Sequence, residues 1–574
     1  MSLRTIILSW LDKLPPRLNA VTRHRNIALT MADGVVLMAD HYEPRTKTRH
    51  PTILMRLPYG RRGFAGVAEA YAERGFNVVL QACRGTEKSG GEFDPLVNER
   101  ADGLATLDWI KAQPWYDGRI GLSGPSYLGY ATWAISDALP EVSALATKVT
   151  TTDFRSVVFP SGAFHLGLWL SWLQVVDGLR RRPIKMVGTM FSGGVERITA
   201  KAAMVLPLIE ADTAAVGRTI PFWRRWFKES IGNDAFWETI DHSHRLNGKT
   251  PPVYFMSGWY DFMIDQLLSD YQRLVDLGHT PYLTVGTWNH IAEELQRDNL
   301  GETLVWMRAK LLGDTTGLRQ HPVRIHISGL NEWRDYETYP PAPPSPQTLY
   351  IHPKGILSAA KTKAKPKAKP DGYRYDPADP TPNIGGAIFA FTGAGRVDNA
   401  VREKRDDVLC YTSEPLAEDL TIIGQTQVTL RAKAAHPHAD FFLRLCDVAA
   451  DGISTNICDG LIRVTPETPT KRDGSWKLAF TLHATAHRFL AGHRLRLQIS
   501  SGAHPRYARN LGTDEPVGTA TTMVANEIEI LHAGTSITLP GYTEAALAPA
   551  PATGPRPPYP RRRAFSLRPR TKAR

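Results

Sequence analysis

The stretch Arg119-Ile120-Gly121-Leu122-Ser123-Gly124-Pro125-Ser126-Tyr127-Leu128-Gly129-Tyr130-Ala131 decides the fold. Arg119 to Leu122 reads as a short buried strand, a glycine-bounded corner follows, and a helical pattern begins at once beyond it. A strand that turns sharply into a helix is the setting of a nucleophile elbow. That chemistry needs a serine at the corner, its hydroxyl raised above the sheet, and glycines that let two stretches of backbone come close. The N–H of the next residue then points from a helix N-terminus at a developing oxyanion. The fit to G-x-S-x-G is out by one position, because Leu128 stands where the second glycine belongs and Gly129 follows it. Read alone, the segment also suits a tight turn that happens to carry a serine.

Similar apolar runs lie on either side: Thr52–Met55, Phe76–Leu80, Val253–Met256 and Tyr282–Val285. A helical pattern with Leu104, Leu107 and Ile110 on one face precedes the elbow. Short continuous apolar runs separated by helices predict a parallel sheet covered on both faces. In such a sheet the active-site loops follow the carboxyl ends of strands, and an acid and then a histidine follow the serine in the chain. Ser257-Gly258-Trp259-Tyr260-Asp261 comes just after one run, and Gly286-Thr287-Trp288-Asn289-His290 just after another. Ser126, Asp261 and His290 are therefore the candidate triad. A single loop aspartate or histidine is usually solvated. Three residue types in the required order, each after its own strand, point to catalysis.

The alternation breaks down between about 150 and 248. This part is rich in tryptophan and arginine (Trp169, Trp172, Trp223, Trp226, Trp237) and predicts a helical cap inserted over the sheet, most of its tryptophans serving as packing. After about 345 the period becomes two: Trp476, Leu478, Phe480 and Leu482 alternate with polar neighbours, as do Leu495, Leu497 and Ile499. That pattern predicts a half-buried antiparallel β-sandwich, most simply a jelly roll. The expected organisation is an N-terminal helical extension over 1–27, the sheet's first part over 28–149, the cap over 150–248 and the sheet's second part over 249–344. The sandwich over 345–545 and a basic, disordered tail over 546–574 complete it.

The chain of 574 residues carries a net charge of +12. Eight Arg and Lys lie between Thr553 and Arg574 and five Lys between Ala359 and Pro370, with no acid in either segment. The rest is close to neutral, so the basic balance belongs to a tail and a loop and no nucleic-acid partner is expected. No stretch reaches the ~18–20 apolar residues of a membrane span. Arg4 precedes an apolar run from Thr5 to Leu11, but Asp12, Lys13 and Pro15-Pro16 end it early, which predicts a short amphipathic helix and not a secretion signal. Cys83, Cys410, Cys446 and Cys458 form no CxxC pair. This excludes a thiolate zinc site and fits a reducing cytoplasm. The histidines show no metal-ligand spacing, and His436-Pro437-His438 reads as a loop, so neither a metal nor a cofactor is expected.

Motifs along most of the chain extend the reading. They include Met31-Ala32-Asp33-Gly34, Arg56-Leu57-Pro58-Tyr59, Arg84-Gly85 with Ser89-Gly90-Gly91, Gln113-Pro114-Trp115, Gly258-Trp259-Tyr260-Asp261 and Trp288-Asn289-His290. Arg405-Asp406-Asp407, Tyr411-Thr412-Ser413 and Pro505-Arg506-Tyr507-Ala508-Arg509-Asn510 continue them. With these the chain resembles the cocaine esterase-like (CocE/NonD) family of α/β-hydrolases, relatives of the X-Pro dipeptidyl-peptidases, glutaryl acylases and α-amino-acid ester hydrolases. The family elbow reads G-x-S-Y-x-G, which accommodates Gly129. The resemblance implies Ser126 as nucleophile, Asp261 as acid, His290 as base, and an oxyanion hole of the Tyr59 hydroxyl and the Tyr127 N–H. It implies a cofactor-free serine hydrolase of small-molecule esters, with an amide or peptide hydrolase as the alternative. A non-catalytic protein that binds through its β-sandwich is a third reading, and a homo-oligomer is left open. The chain departs from the family pattern at Ala82, where Asp is usual, and at Glu87, where Gly is usual. After the acid, Phe262 and Met263 stand where α-amino-acid ester hydrolases carry carboxylates. With Trp169 they suggest an uncharged acyl pocket. Asp265 falls one position late for an ammonium site.

Overall fold

The computed structural model describes residues 14–230, 234–362 and 369–548. Ten strands form the first sheet: β1 (Val21–Thr30), β2 (Val36–Pro44), β3 (His50–Leu57), β4 (Asn77–Ala82), β5 (Tyr116–Pro125), β6 (Ser143–Lys148), β7 (Val253–Tyr260), β8 (Tyr282–Asn289), β9 (Val323–Ile327) and β10 (Glu332–Tyr336). Their order is β1-β2-β4-β3-β5-β6-β7-β8-β9-β10. From β4 to β9 every pair is parallel. β1, β2 and β10 run antiparallel to their neighbours. The expectation of a parallel sheet is corrected at both edges. A short turn such as Met31–Val35 can only return the chain antiparallel, whereas a parallel return needs a long crossover.

The apolar runs of the central strands sit in the middle of this sheet, and β4, β6 and β7 are buried throughout. The helix Ile264–Asp276 packs Ile264, Leu267 and Leu274 with Phe255 on one face. The helix Glu293–Leu312 packs Trp306 and Met307 with Tyr254 and Met256 on the other. Between β6 and β7 the described residues are mostly helical, with Leu166–Arg181 the longest helix among them. Trp169, Trp172, Trp223, Trp226 and Trp237 are all buried in one cluster, together with Tyr127 and Tyr130 from the elbow and with Phe262 and Met263.

Beyond β10 lies a second sheet system, of 13 strands among the described residues. The strand Trp476–Thr481 buries Trp476 and Leu478 and exposes Lys477 and Ala479, as its period of two requires. The centre is the long antiparallel pair Ala439–Val448 and Ser454–Val464, flanked by Arg494–Ser500.

Two expected boundaries move. Residues 21–27 are not helical: they belong to β1, where His24 faces His41 and Ile27 faces Ala39, because β2 offers a ladder that an isolated helix could not match. Residues 1–13, with the helix expected over Thr5–Leu11, lie outside the described residues, as do most of the Lys/Pro loop and the chain from 549 onward. The tail does not begin at 546. Leu547 is fully buried in a cluster with Tyr336, Ile423 and Tyr542, and its carbonyl accepts from Arg334 Nη1 and Tyr336 Oη, each at 3.4 Å. Leu547→Ala is expected to cost about 2 kcal/mol in urea unfolding, the low end for a buried leucine because a site near a chain end can close up. An unchanged midpoint would show that Leu547 adds nothing to the core.

Candidate active site

β5 delivers the chain to Ser126, which stands between the strand and the helix Tyr127–Trp133 with φ 56° and ψ −123°. A non-glycine residue holds such a conformation only when its surroundings enforce it, at a cost of ~1–3 kcal/mol. Ser126 N donates to Lys148 O at the end of β6 (2.8 Å), and Tyr130 N donates to Ser126 O. The two flanking glycines let the helix lie on the strand. A Cβ on Gly124 would stand 2.2 Å from Leu128 Cβ, and one on Gly129 would stand 2.4 Å from Thr150 Cγ2. The second glycine is thus set by contact with the segment after β6, and this places it one residue later than G-x-S-x-G expects.

Asp261 follows β7 and His290 follows β8. His290 Nε2 is 2.9 Å from Ser126 Oγ, and His290 Nδ1 is 2.9 Å from Asp261 Oδ1. A carboxylate only accepts, so Nδ1 carries the proton and Nε2 presents a lone pair to the serine hydroxyl. Asp261 is fully buried and accepts two further bonds, from Ser257 Oγ (2.8 Å) and Met263 N (3.2 Å). The His290 ring lies against Phe262 at 4.5 Å and edge-to-face with Phe389 at 5.6 Å.

Ser126, Tyr127, Trp169, Phe262, Met263 and His290 line one narrow slot, so the expected pocket residues meet the expected triad. Pro95, Leu96, Phe154, Leu168, Trp172 and Phe389 complete it. No Asp, Glu, Lys or Arg side chain lines it among the described residues. Tyr59, just after β3, accepts a hydrogen bond from Trp172 Nε1 (3.0 Å), and its hydroxyl also interacts with Ser126. Burial pushes the Tyr59 hydroxyl up to about 12, against the opposing pull of these hydrogen bonds. The Tyr127 N–H opens its helix and has no preceding turn to bond with. The Tyr127 side chain is anchored behind the elbow, donating to Glu99 Oε1 (2.8 Å) and accepting from Leu96 N (3.0 Å). Glu99 in turn pairs with Arg56 at 2.9 Å.

Trp172, expected from the sequence only among the packing tryptophans, lines the slot, and Phe389, Ser257 and the Arg56–Glu99 pair join the site without having been singled out as site residues. Ser257 opens the segment that carries Asp261 and Arg56 stands in the motif that carries Tyr59, so both have a sequence signal; Phe389 sits in an irregular loop with none. Asp265 turns away from the slot, with Oδ2 2.6 Å from His483 Nδ1 and Oδ1 accepting from Ala484 N. Burial would raise its carboxyl, but His483 and these bonds hold it below the ordinary value. At the departures from the family loop, Ala82 ends β4 fully buried, and Glu87 accepts from the N and Nε of Arg61 at 2.8 and 3.0 Å. Glu87 itself sits at φ 40°, so this ion pair anchors a left-handed corner that a glycine would adopt unaided.

One group with metal-ligating chemistry occurs among the described residues: His24, His41 and Glu43 on β1 and β2, away from the slot's lining. The two imidazoles stack at 5.7 Å, His41 Nε2 bonds to Asn77 Oδ1 at 3.1 Å and His24 Nε2 lies 3.3 Å from Glu43 Oε2, so each of these groups has a protein partner. A larger cavity of about 270 Å³ lies beside Leu206, Arg463, Arg509 and Glu515. Its arginines are already committed, Arg463 to Asp440 and Arg509 to the carbonyls of Pro377 and Met204.

Residues 33–292 match the X-Pro dipeptidyl-peptidase (S15 family), and residues 314–538 match the X-Pro dipeptidyl-peptidase C-terminal non-catalytic domain. The chain is 32% identical to the cocaine esterase of Rhodococcus sp. (strain MB1 Bresler), over 85% of this chain and 92% of that one. The fold is shared with an aminopeptidase from a Thaumarchaeota archaeon, with TM-score 0.73 and 23% identity over 93% of this chain and 98% of that one. It is also shared with an α-amino-acid ester hydrolase, again with TM-score 0.73, at 20% identity over 91% and 97%. Fold and relatives together define a serine hydrolase of esters, an α/β-hydrolase with a C-terminal β-domain. The chain belongs to the cocaine esterase-like family of α/β-hydrolases.

The contact at Gly129 generates a direct expectation. Gly129→Ala should destabilise the protein by about 1–3 kcal/mol through overpacking against Thr150, and should lower ester turnover by shifting the Ser126 corner. A variant as stable and as active as the parent would show that the helix can slide without disturbing the serine.

Proposed function

We propose that the chain hydrolyses carboxylic esters with an uncharged acyl group, through an acyl-enzyme on Ser126. The observation that carries this reading is the unbroken chain from Ser126 Oγ through His290 to the buried Asp261, opening on an apolar slot. His290 Nε2 takes the hydroxyl proton as Ser126 attacks the ester carbonyl. Asp261, itself held by Ser257 and Met263, keeps Nδ1 protonated and steadies the imidazolium. The oxyanion that forms is held by the Tyr127 N–H and the Tyr59 hydroxyl. His290 returns the proton to the leaving alcohol, then activates the water that releases the acid.

The apolar lining from Trp169, Phe262, Met263 and Phe389 supports an uncharged acyl group. The engagement of Asp265 with His483 weighs against an ester with a free α-amine, since that carboxylate is not available to an ammonium. Residues 150–248 serve in this reading as a cap over the slot, and the C-terminal sheet system as a jelly-roll sandwich whose Phe389 loop reaches the site. The substrate partner is a small molecule, and the chemistry needs neither metal nor cofactor. Among the described residues no helix is long and apolar enough to cross a membrane. The four free cysteines support a cytoplasmic setting.

Two outcomes test the assignment. Ser126→Ala should fold normally, lose turnover of p-nitrophenyl esters by several orders of magnitude, and fail to take up a fluorophosphonate that the parent binds with a matching mass increase. Undiminished turnover in that variant would remove Ser126 from the mechanism. Tyr59→Phe should lower kcat by ~10²–10³ with little change in KM. As a donor Tyr59 acts only while protonated, so its contribution should be constant with rising pH and vanish only as the pH approaches its value of about 12. A kcat–pH profile in which Tyr59→Phe abolishes an alkaline limb near neutrality would contradict this.

A further inference from the structure

Trp172 meets the Tyr59 hydroxyl assigned above to the oxyanion and the side chain of Tyr127, whose N–H is the other assigned donor. Its Nε1–H donates to the Tyr59 hydroxyl at 3.0 Å, and its ring lies 6.0 Å from the Tyr127 ring at an interplanar angle of 11°. It sits on the helix Leu166–Arg181, only 5% exposed. Trp169 packs edge-to-face at 5.6 Å, Phe222 edge-to-face at 5.9 Å, and Phe93 at 6.2 Å. The indole therefore has no room to rotate, and its N–H has a fixed direction.

A phenolic hydroxyl has one proton to give and two lone pairs. With one lone pair occupied by the indole N–H, the proton must point away from Trp172. Ser126, with which the hydroxyl also interacts, marks the side where an oxyanion would form. A donor bonded to the phenolic oxygen also polarises the O–H, so the bond from Tyr59 to a developing anion is strengthened. Consistent with this, the indole hydrogen bond draws the Tyr59 hydroxyl down against the rise caused by burial.

We infer that Trp172 is a positioning residue for the oxyanion hole, acting through Tyr59: its N–H aims and activates the phenol, and so couples the helical segment over the site to transition-state stabilisation. This rests on Tyr59 being an oxyanion donor. It goes further in giving one residue of the inserted helices a role in the rate as well as in the shape of the slot.

The test is a double-mutant cycle on the full chain with p-nitrophenyl esters, comparing the parent, Trp172→Phe, Tyr59→Phe and the double variant. Trp172→Phe should lower kcat about tenfold, the scale of one neutral hydrogen bond, with KM within about twofold. In the Tyr59→Phe background the same change should have no further effect, because the group it acts through is gone. Binding of a boronic acid, which forms a tetrahedral adduct on the serine, should weaken in parallel with kcat. If Trp172→Phe disturbs folding, benzothienylalanine at position 172 keeps the ring shape and removes only the N–H. Normal kcat in the N–H-deleted enzyme beside an impaired Tyr59→Phe overturns the inference and leaves the Tyr59 assignment standing. Losses that multiply in the double variant mean that Trp172 acts by packing alone, and also overturn it. A Tyr59→Phe enzyme with near-normal kcat overturns both readings.

Discussion

Everything at the site hangs on a corner that Ser126 would not adopt by itself. Its positive φ is held from three sides: the strand β5 before it, the helix after it, and the backbone bond from its N–H to Lys148 on β6. The glycines at 124 and 129 make this possible because each occupies a place where a Cβ would meet Leu128 or Thr150. Once the corner is fixed, the serine hydroxyl and the Tyr127 N–H have fixed directions. The other groups need only be brought to meet them by strands that end at the same edge of the sheet. The order β5-β6-β7-β8 does this, since Asp261 directly follows β7 and His290 directly follows β8.

The second feature is how thoroughly the polar groups are anchored by other polar groups inside an apolar enclosure. Asp261 has three hydrogen bonds, and Tyr127 is tied to Glu99, which is tied to Arg56. Such chains lie in a low-dielectric interior, where a hydrogen bond is stronger and an unpaired group is costly. They also restrict motion: an imidazole between Phe262 and Phe389, with Nδ1 fixed on a buried carboxylate, has one working orientation. The C-terminal domain takes part in this. Phe389 packs on the imidazole, and His483 and Ala484 bind Asp265 at the start of the helix that follows Asp261. The β-domain is thus part of the wall and of the scaffold of the site.

The sequence by itself determined the elbow, the serine–acid–histidine order, the change from a helical pattern to a period of two near 345, and the apolar pair Phe262-Met263. All of these are local: glycine spacing, a run of apolar residues or a strict period is imposed by the geometry of one strand or one turn. The antiparallel edges of the first sheet, the start of β1 at Val21 and the burial of Leu547 were not legible, because each depends on what a neighbouring segment offers. Tertiary structure alone decided the contacts that bring distant segments together. Trp172 and Tyr59 are 113 residues apart, His483 and Asp265 are 218 apart, and Phe389 comes to His290 from an irregular loop. No periodicity encodes such pairs. A tryptophan in a helical pattern is chemically the same whether it fills a core or donates a hydrogen bond, and only packing decides which partner its N–H reaches.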